Sequence, residues 1–203
     1  MKYKRYQPDE GKMVNMGIRD KNKESHVIEG TDIYLRLMNE EDTDRIIKWR
    51  NTEFVRQNFI YREFFTRQGH ENWVRTMVDT GKVVQFIIIK KADDKPVGSV
   101  YLRDIDRTHK KAEYGIFIGE EEALGRGYGT QAARMMIDYA FHEEGLHKLM
   151  LRVLAKNVRA RRSYEKAGFV GEAYLKDEVF LNGRYQDVIY MAVINNEGQE
   201  AFA

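Results

Sequence analysis

Regular alternation of apolar and polar residues begins at Ile33-Tyr34-Leu35-Arg36-Leu37, which predicts a strand. Asn39-Glu40-Glu41-Asp42 then reads as a helix start, because Asn39 can accept from an orphan amide and Asp42 places negative charge in the first turn. Ile46, Ile47 and Trp49 would be its buried side, and a second helix is expected from Arg67 to Val78. Three strands follow, Val83 to Lys90, Pro96 to Arg103 and Ala112 to Ile118, and their short connections predict antiparallel pairing. Beyond Gly119 the period changes. Ala133, Met136, Ile137, Ala140 and Phe141 recur at helical spacing in a segment ending near Glu144, with Gly145 just past its end.

A strand at Lys148 to Val153, a helix from Val158 to Lys166 stopped by Gly168, and strands Phe169 to Leu181 and Arg184 to Ile194 complete the pattern. Asn182-Gly183 joins the last two and is a strong hairpin signal. This order predicts an α/β (α+β) layer structure, a mixed sheet flanked by helices, with a parallel crossover through the long helix. Residues 1–30 are polar and lack this patterning, although a short strand at Val14 to Ile18 fits them. They are expected to form a flexible extension, with the domain at 31–194 and a tail at 195–203.

Composition narrows the function classes. The chain has 203 residues, enough for one full core, and no cysteine, which removes disulfides, Cys-ligated zinc and a thiol nucleophile. Neither a membrane-spanning apolar run nor a secretory leader is read in it, so a cytoplasmic protein with no membrane partner is expected. A formal charge of +2 is too small to argue for nucleic acid. His26, His70, His109, His142 and His147 have no metal-ligand spacing, so no metal site is expected. Lys156, Arg159, Arg161 and Arg162 form a basic cluster that is either a solvated face or an anion-binding surface.

The sharpest chemical feature is Gly125-Arg126-Gly127-Tyr128-Gly129-Thr130, placed between a strand and a helix. Alternate glycines let backbone approach a ligand closely, and unpaired amides at a helix start favour an anion such as a diphosphate. A tight turn holding nothing is the plainer reading. Spacing excludes two phosphate loops. No Lys-Ser/Thr pair follows the last glycine, and the loop lies after three antiparallel strands rather than after the first strand of a dinucleotide fold. A second group, Asn157, Ala160, Tyr164 and Ala167, shares one face of the short helix, where Asn157 is either a cap or a polar handle and Tyr164 either a packed ring or a functional phenol.

Together, Gly125-Arg126-Gly127-Tyr128-Gly129 and Asn157-x-x-Ala160-x-x-x-Tyr164-x-Lys166-x-Gly168-Phe169 resemble the two signature segments of the GNAT acetyltransferase superfamily. Leu124 departs from the Gln or Arg usual at its position, leaving only its backbone amide to contribute. Asp138-Tyr139-Ala140-Phe141, Leu146-His147-Lys148, Gly171-Glu172 and Asn182-Gly183-Arg184-Tyr185-x-Asp187 look like the ribosomal-protein N-terminal, spermidine and amino-sugar branch, the RimJ/RimL-like enzymes. Trp49-Arg50-Asn51 and His70-Glu71-Asn72-Trp73 lean toward amino-sugar enzymes.

The resemblance implies the GNAT fold, acetyl-CoA as cosubstrate, and direct transfer of its acetyl group to a primary amine of a small molecule or peptide N-terminus. A homodimer is allowed, and a non-catalytic acyl-CoA-binding regulatory module is the alternative. It implies that amides of Arg126 to Thr130 hold the diphosphate, that backbone near Phe117 pairs with pantetheine, and that Arg126, Arg159 and Arg162 meet the adenosine phosphate. Tyr164 would protonate the departing thiolate and Asn157 would orient acceptor or coenzyme. Glu113 would be the base, or would instead pair with Lys111 or Arg103, with Glu53 and His70 in reserve. Glu53, Glu63 and Glu178 are the carboxylates expected near the acceptor, suited to a polyamine or a peptide N-terminus.

Overall fold

A computed structural model describes residues 26–197. Its strands are β1 (Val27–Glu29), β2 (Ile33–Leu37), β3 (Val84–Lys90), β4 (Lys95–Asp106), β5 (Lys111–Ile118), β6 (Lys148–Leu154), β7 (Val170–Leu181) and β8 (Arg184–Ile194). Its helices are α1 (Thr43–Asn51), α2 (Glu53–Arg56), α3 (Arg67–Trp73), α4 (Tyr128–Asp138) and α5 (Val158–Ala167), with α3 and α4 each prolonged by a π-type turn, Val74–Val78 and Tyr139–Glu143.

The strands form one sheet in the order β1-β2-β3-β4-β5-β6-β8-β7. Neighbours are antiparallel except β5 and β6, which run parallel. That pairing is short: Lys111, Ala112 and Glu113 meet Lys148, Leu149 and Met150, and beyond Glu113 the two strands part. The sheet therefore has a split at its centre, with β5 lacking a strand partner on its β6-facing edge from Tyr114 onward.

Both faces of the sheet are covered. Phe86, Ile88, Val100, Leu102, Tyr114, Leu149 and Leu151 face α4 and α5 in the larger core, whereas Ile87, Ile89 and Phe117 join Ile46, Trp49 and Val55 in the smaller one. Two-sided burial explains why β3 reads as an almost continuous apolar run. The one polar residue inside that run, Gln85, donates from Nε2 to Ser99 Oγ at 2.8 Å, and Ser99 donates to Phe86 O at 2.9 Å.

Local signals translate directly. Asn39 accepts from the Glu41 amide at 3.1 Å, while Asp42 accepts from the Asn39 amide at 3.0 Å and from Arg36 at 2.9 Å. Asn182 and Gly183 have φ of 52° and 77°, the left-handed pair that a two-residue hairpin turn requires. Gly168 closes α5 at φ 115°. Two elements differ from the reading of the sequence. Val27–Glu29, within the segment read as an extension, pairs antiparallel with β2, and α2 fills part of the stretch between the first two helices. The strand considered at Val14 to Ile18 lies outside the described residues.

Asp138, at the end of α4, has a buried Oδ1 with no hydrogen-bond partner. Burial pushes its carboxyl up to about 6, with His142 opposing and Glu197 adding to the rise. A carboxyl raised in the folded state stabilises most below its unfolded value, and that contribution is lost as pH climbs through about 6. Asp138→Asn, which keeps the side chain neutral, is therefore expected to raise stability at pH 8 by on the order of 1–3 kcal/mol, a Tm gain of roughly 5 °C. The gain should vanish at pH 4. Thermal melts at the two pH values check this.

Candidate active site

The glycine loop connects β5 to α4. Gly125 and Gly127 have φ of 76° and 84°, a backbone region that L side chains oppose. An added Cβ at either would meet no protein atom within 4 Å, so both glycines border open space. The Thr130 and Gln131 amides donate to Gly127 O at 3.0 and 3.1 Å, and the Leu124 amide donates to Glu121 O at 3.1 Å. Between them, the amides of Gly125 to Gly129 find no acceptor among the described residues. Five consecutive donors thus surround the N-terminus of α4, where the helix dipole adds partial positive charge.

A cavity of about 620 Å³ starts at this loop and passes through the split between β5 and β6. On the α4 and α5 side it is lined by Gly125, Gly127, Gly129, Thr130, Arg159, Arg162, Ser163 and Tyr164. On the opposite side it meets Asn58, Phe59, Tyr61, Tyr101, Arg103, Glu113 and Arg152. Between the two lie Tyr114 to Ile118 of β5 and Leu151 to Val153 of β6. Arg159 and Arg162 are exposed at the loop end, with no ion pair among the described residues.

Tyr164 stands on the inner face of α5, edge-on to Tyr114 at 6.1 Å and to Phe169 at 6.0 Å between ring centroids. Its hydroxyl has no hydrogen-bond partner among the described residues. Burial, and secondarily Tyr101, push that phenol above the ordinary tyrosine value, so it stays protonated across the neutral and mildly basic range. Thr130 Oγ1 and Ser163 Oγ, 2.9 Å apart, tie α4 to α5 and fix the spacing between the loop and this phenol.

Asn157 caps α5. Its Oδ1 accepts from the Ala160 amide at 3.1 Å, and its Nδ2 donates to Asn58 Oδ1 at 3.0 Å, joining α5 to the segment after α2. Asn157→Ala removes both bonds and should cost about 1–2 kcal/mol of stability, read as a lower midpoint in urea.

On the far side of the sheet, Tyr101 lies across β5. Tyr101 and Gly115 are directly opposed in the ladder, and a Cβ at Gly115 would collide with the Tyr101 ring. Gly115 is what lets the phenol lie flat against the cavity wall. Glu113 Oε1 accepts from Arg103 at 2.7 Å, and Oε2 accepts from Arg152 at 3.2 Å. Gly115→Ala is expected to displace Tyr101 and lower stability by roughly 1–3 kcal/mol. Differential scanning tests this.

Residues 32–170 match the Acetyltransferase (GNAT) domain family. The chain belongs to the GNAT acetyltransferase family. It is 33% identical over 135 residues to the spermidine N(1)-acetyltransferase of Vibrio cholerae serotype O1, covering 66% of this chain and 72% of that protein. It is 26% identical to the probable N-acetyltransferase YjcK of Bacillus subtilis, across 86% of this chain and all (100%) of the relative. A crystal structure of the Vibrio cholerae spermidine N-acetyltransferase with CoA and spermine superposes with a TM-score of 0.75 at 29% identity, covering 80% of this chain and 95% of that one. These similarities put the chain near the spermidine acetyltransferase branch of the superfamily. The mixed, centrally split sheet flanked by helices is the acyl-CoA-binding GNAT fold.

Most of the residues singled out in the sequence come together in this GNAT cavity. Phe117, Gly125, Gly127, Tyr128, Gly129, Thr130, Asn157, Arg159, Arg162, Tyr164 and Glu113 all line it. Several details differ. Arg126 is exposed and does not line the cavity. The amides of Thr130 and Leu124 are spent on internal carbonyls, so the run of free donors is Gly125 to Gly129 rather than Arg126 to Thr130. Glu113 adopts the ion-paired arrangement with Arg103, and Arg152 joins it. Glu53 bonds Arg56 at 2.7 Å and His70 is buried against Trp73 and Phe65; neither reaches the cavity. Glu63 and Glu178 do not line it either.

Arg152, Tyr101 and the Asn58 to Tyr61 segment were not singled out from the sequence. Tyr101 is placed by the sheet register, in which it opposes Gly115, and no local sequence signal marks it.

No helix among the described residues is long and apolar enough to cross a membrane.

Proposed function

We propose that this protein is an N-acetyltransferase that takes acetyl-CoA and acetylates a primary amine by direct transfer. The observation that carries the reading is the row of acceptor-free amides from Gly125 to Gly129 at the end of a cavity that crosses the sheet. That row fits a diphosphate, the cations Arg159 and Arg162 fit an adenosine phosphate, and the unpaired edge of β5 near Phe117 fits the amides of a pantetheine arm. Bound acetyl-CoA supplies an acetyl thioester, in which a C–S bond is exchanged for a C–N bond.

In this reading the chain's own residues do five things. The loop amides hold the diphosphate. The free edge of β5 offers N–H donors to the thioester oxygen as it gains negative charge. Tyr164 holds a proton on its hydroxyl for the departing sulfur. Glu113 is a positioning residue that keeps Arg103 and Arg152 in place. Both of its oxygens are occupied by guanidiniums, and the amine proton leaves through water in the cavity. Asn157 acts through its cap and its bond to Asn58, which hold α5 and the acceptor wall together.

An acetyl-CoA consumption screen over amino sugars, polyamines, aminoglycosides, amino acids and N-terminal peptides, read as CoA release, tests the activity. Turnover with one acceptor class is expected. Coenzyme binding without transfer to any amine would instead make the protein a regulatory module. Glu113→Gln should leave the rise of rate with pH in place, since water carries the proton. Loss of that rise would restore Glu113 as the base.

A further inference from the structure

Resting on the acetyltransferase reading, the charges around the acceptor side of the cavity narrow the amine it takes. Among the described residues Glu113 is the only carboxylate that lines the cavity, and its two oxygens are shared between Arg103 and Arg152. The local sum is two guanidiniums against one carboxylate. Arg103 also lies 3.7 Å from Asp104, but Asp104 is exposed and outside the cavity. Each guanidinium carries five donors, and one carboxylate satisfies only a fraction of them.

A third cation stands behind the wall. Arg50 is 8% exposed and has neither a hydrogen-bond partner nor an ion pair among the described residues. Its guanidinium lies 3.4 Å above the Phe59 ring and 5.8 Å from the Phe117 ring, both of which line the cavity. A buried cation without a counter-ion is costly unless something negative comes near it. A polyamine would bring further positive charge into this environment, with no free carboxylate among the described lining residues to receive it.

We propose that the acceptor is an amine carrying an anionic group, a carboxylate or a phosphate, which Arg103 and Arg152 bind while the amine sits at the split between β5 and β6. Planar guanidiniums suit both groups, because each presents paired N–H donors to paired oxygens. Glu113 holds the two arginines at a fixed separation and lowers their net charge.

The test compares matched acceptors that differ only in the anion: amino acids against their carboxamides, and phosphoethanolamine against ethanolamine, with spermidine alongside. The anionic member should have a kcat/KM about 10- to 100-fold higher, as expected for charge-assisted hydrogen bonds. The two pairs distinguish carboxylate from phosphate. Arg152→Gln should bring the ratio close to one with acetyl-CoA affinity unchanged. A spermidine rate above all others, or a ratio insensitive to Arg152→Gln, overturns the proposal while leaving the acetyltransferase reading intact. A readout without turnover is calorimetric binding of N-acetylglycine against N-acetylglycinamide to the CoA-loaded protein. Tighter binding of the acid is expected, and equal or absent binding of the acid overturns the proposal.

Discussion

Tyr164→Phe is expected to lower kcat by about 100-fold or more while leaving the dissociation constant for acetyl-CoA within about twofold, the signature of a lost proton donor. The ring is what packs against Tyr114 and Phe169, and Phe keeps the ring. The hydroxyl has no hydrogen-bond partner among the described residues, so its removal orphans no buried group and folding should be unaffected. The pH profile supplies a second check. Because burial raises this phenol above the usual tyrosine value, the donor stays protonated past the pH where an exposed tyrosine ionises. The wild-type rate should therefore show no loss on the basic side up to about pH 10. An unchanged kcat in the Phe variant would mean that water protonates the thiolate.

Gly127→Val carries the second large effect. At φ 84° a β-branched residue is strained, which should cost on the order of 1–2 kcal/mol of stability. Its side chain would also occupy the open space next to the free amides, so acetyl-CoA affinity should fall by about 100-fold or more. Gly129→Ala is the control. Gly129 has no positive φ, and an added Cβ there would meet Ser163 Oγ at an ordinary 3.6 Å. It should fold normally and lose far less affinity. Calorimetry on the two variants separates backbone strain from blockage of the cradle, because a strained but empty turn would lose stability alone.

The strand and helix order was legible because each element carries its own period and stop signal. β3 shows the limit of that approach. Its continuous apolar run says that both faces are covered, but not by which helices. α2 has too few residues for a helical period to show. β1 is a short edge strand whose partner, β2, is what makes it a strand.

The site was legible to the same degree. The glycine loop stands out because the anion cradle proposed for it needs a particular residue type at particular positions. Helical spacing puts Tyr164 and Asn157 on one face, and only the resemblance to the GNAT signature segments gives them functional roles. The proposed acceptor side is built from Tyr101, Arg103, Glu113 and Arg152, which lie on three strands and meet only through the register of the sheet. Nothing in the local sequence around Arg152 distinguishes it from a solvated arginine on an edge. Likewise, the carboxylates expected there, Glu53, Glu63 and Glu178, do not line the cavity. A pocket's sign depends on which side chains the strand alternation turns inward.

The proposed coenzyme site is a row of five neighbouring N–H groups that hold a diphosphate at the start of α4. A crystal structure of the protein with CoA tests that directly. The diphosphate oxygens should lie about 3 Å from the amides of Gly125 to Gly129, with the thiol end in the split beside Tyr164. Density for CoA elsewhere, with those amides still facing solvent, would contradict it.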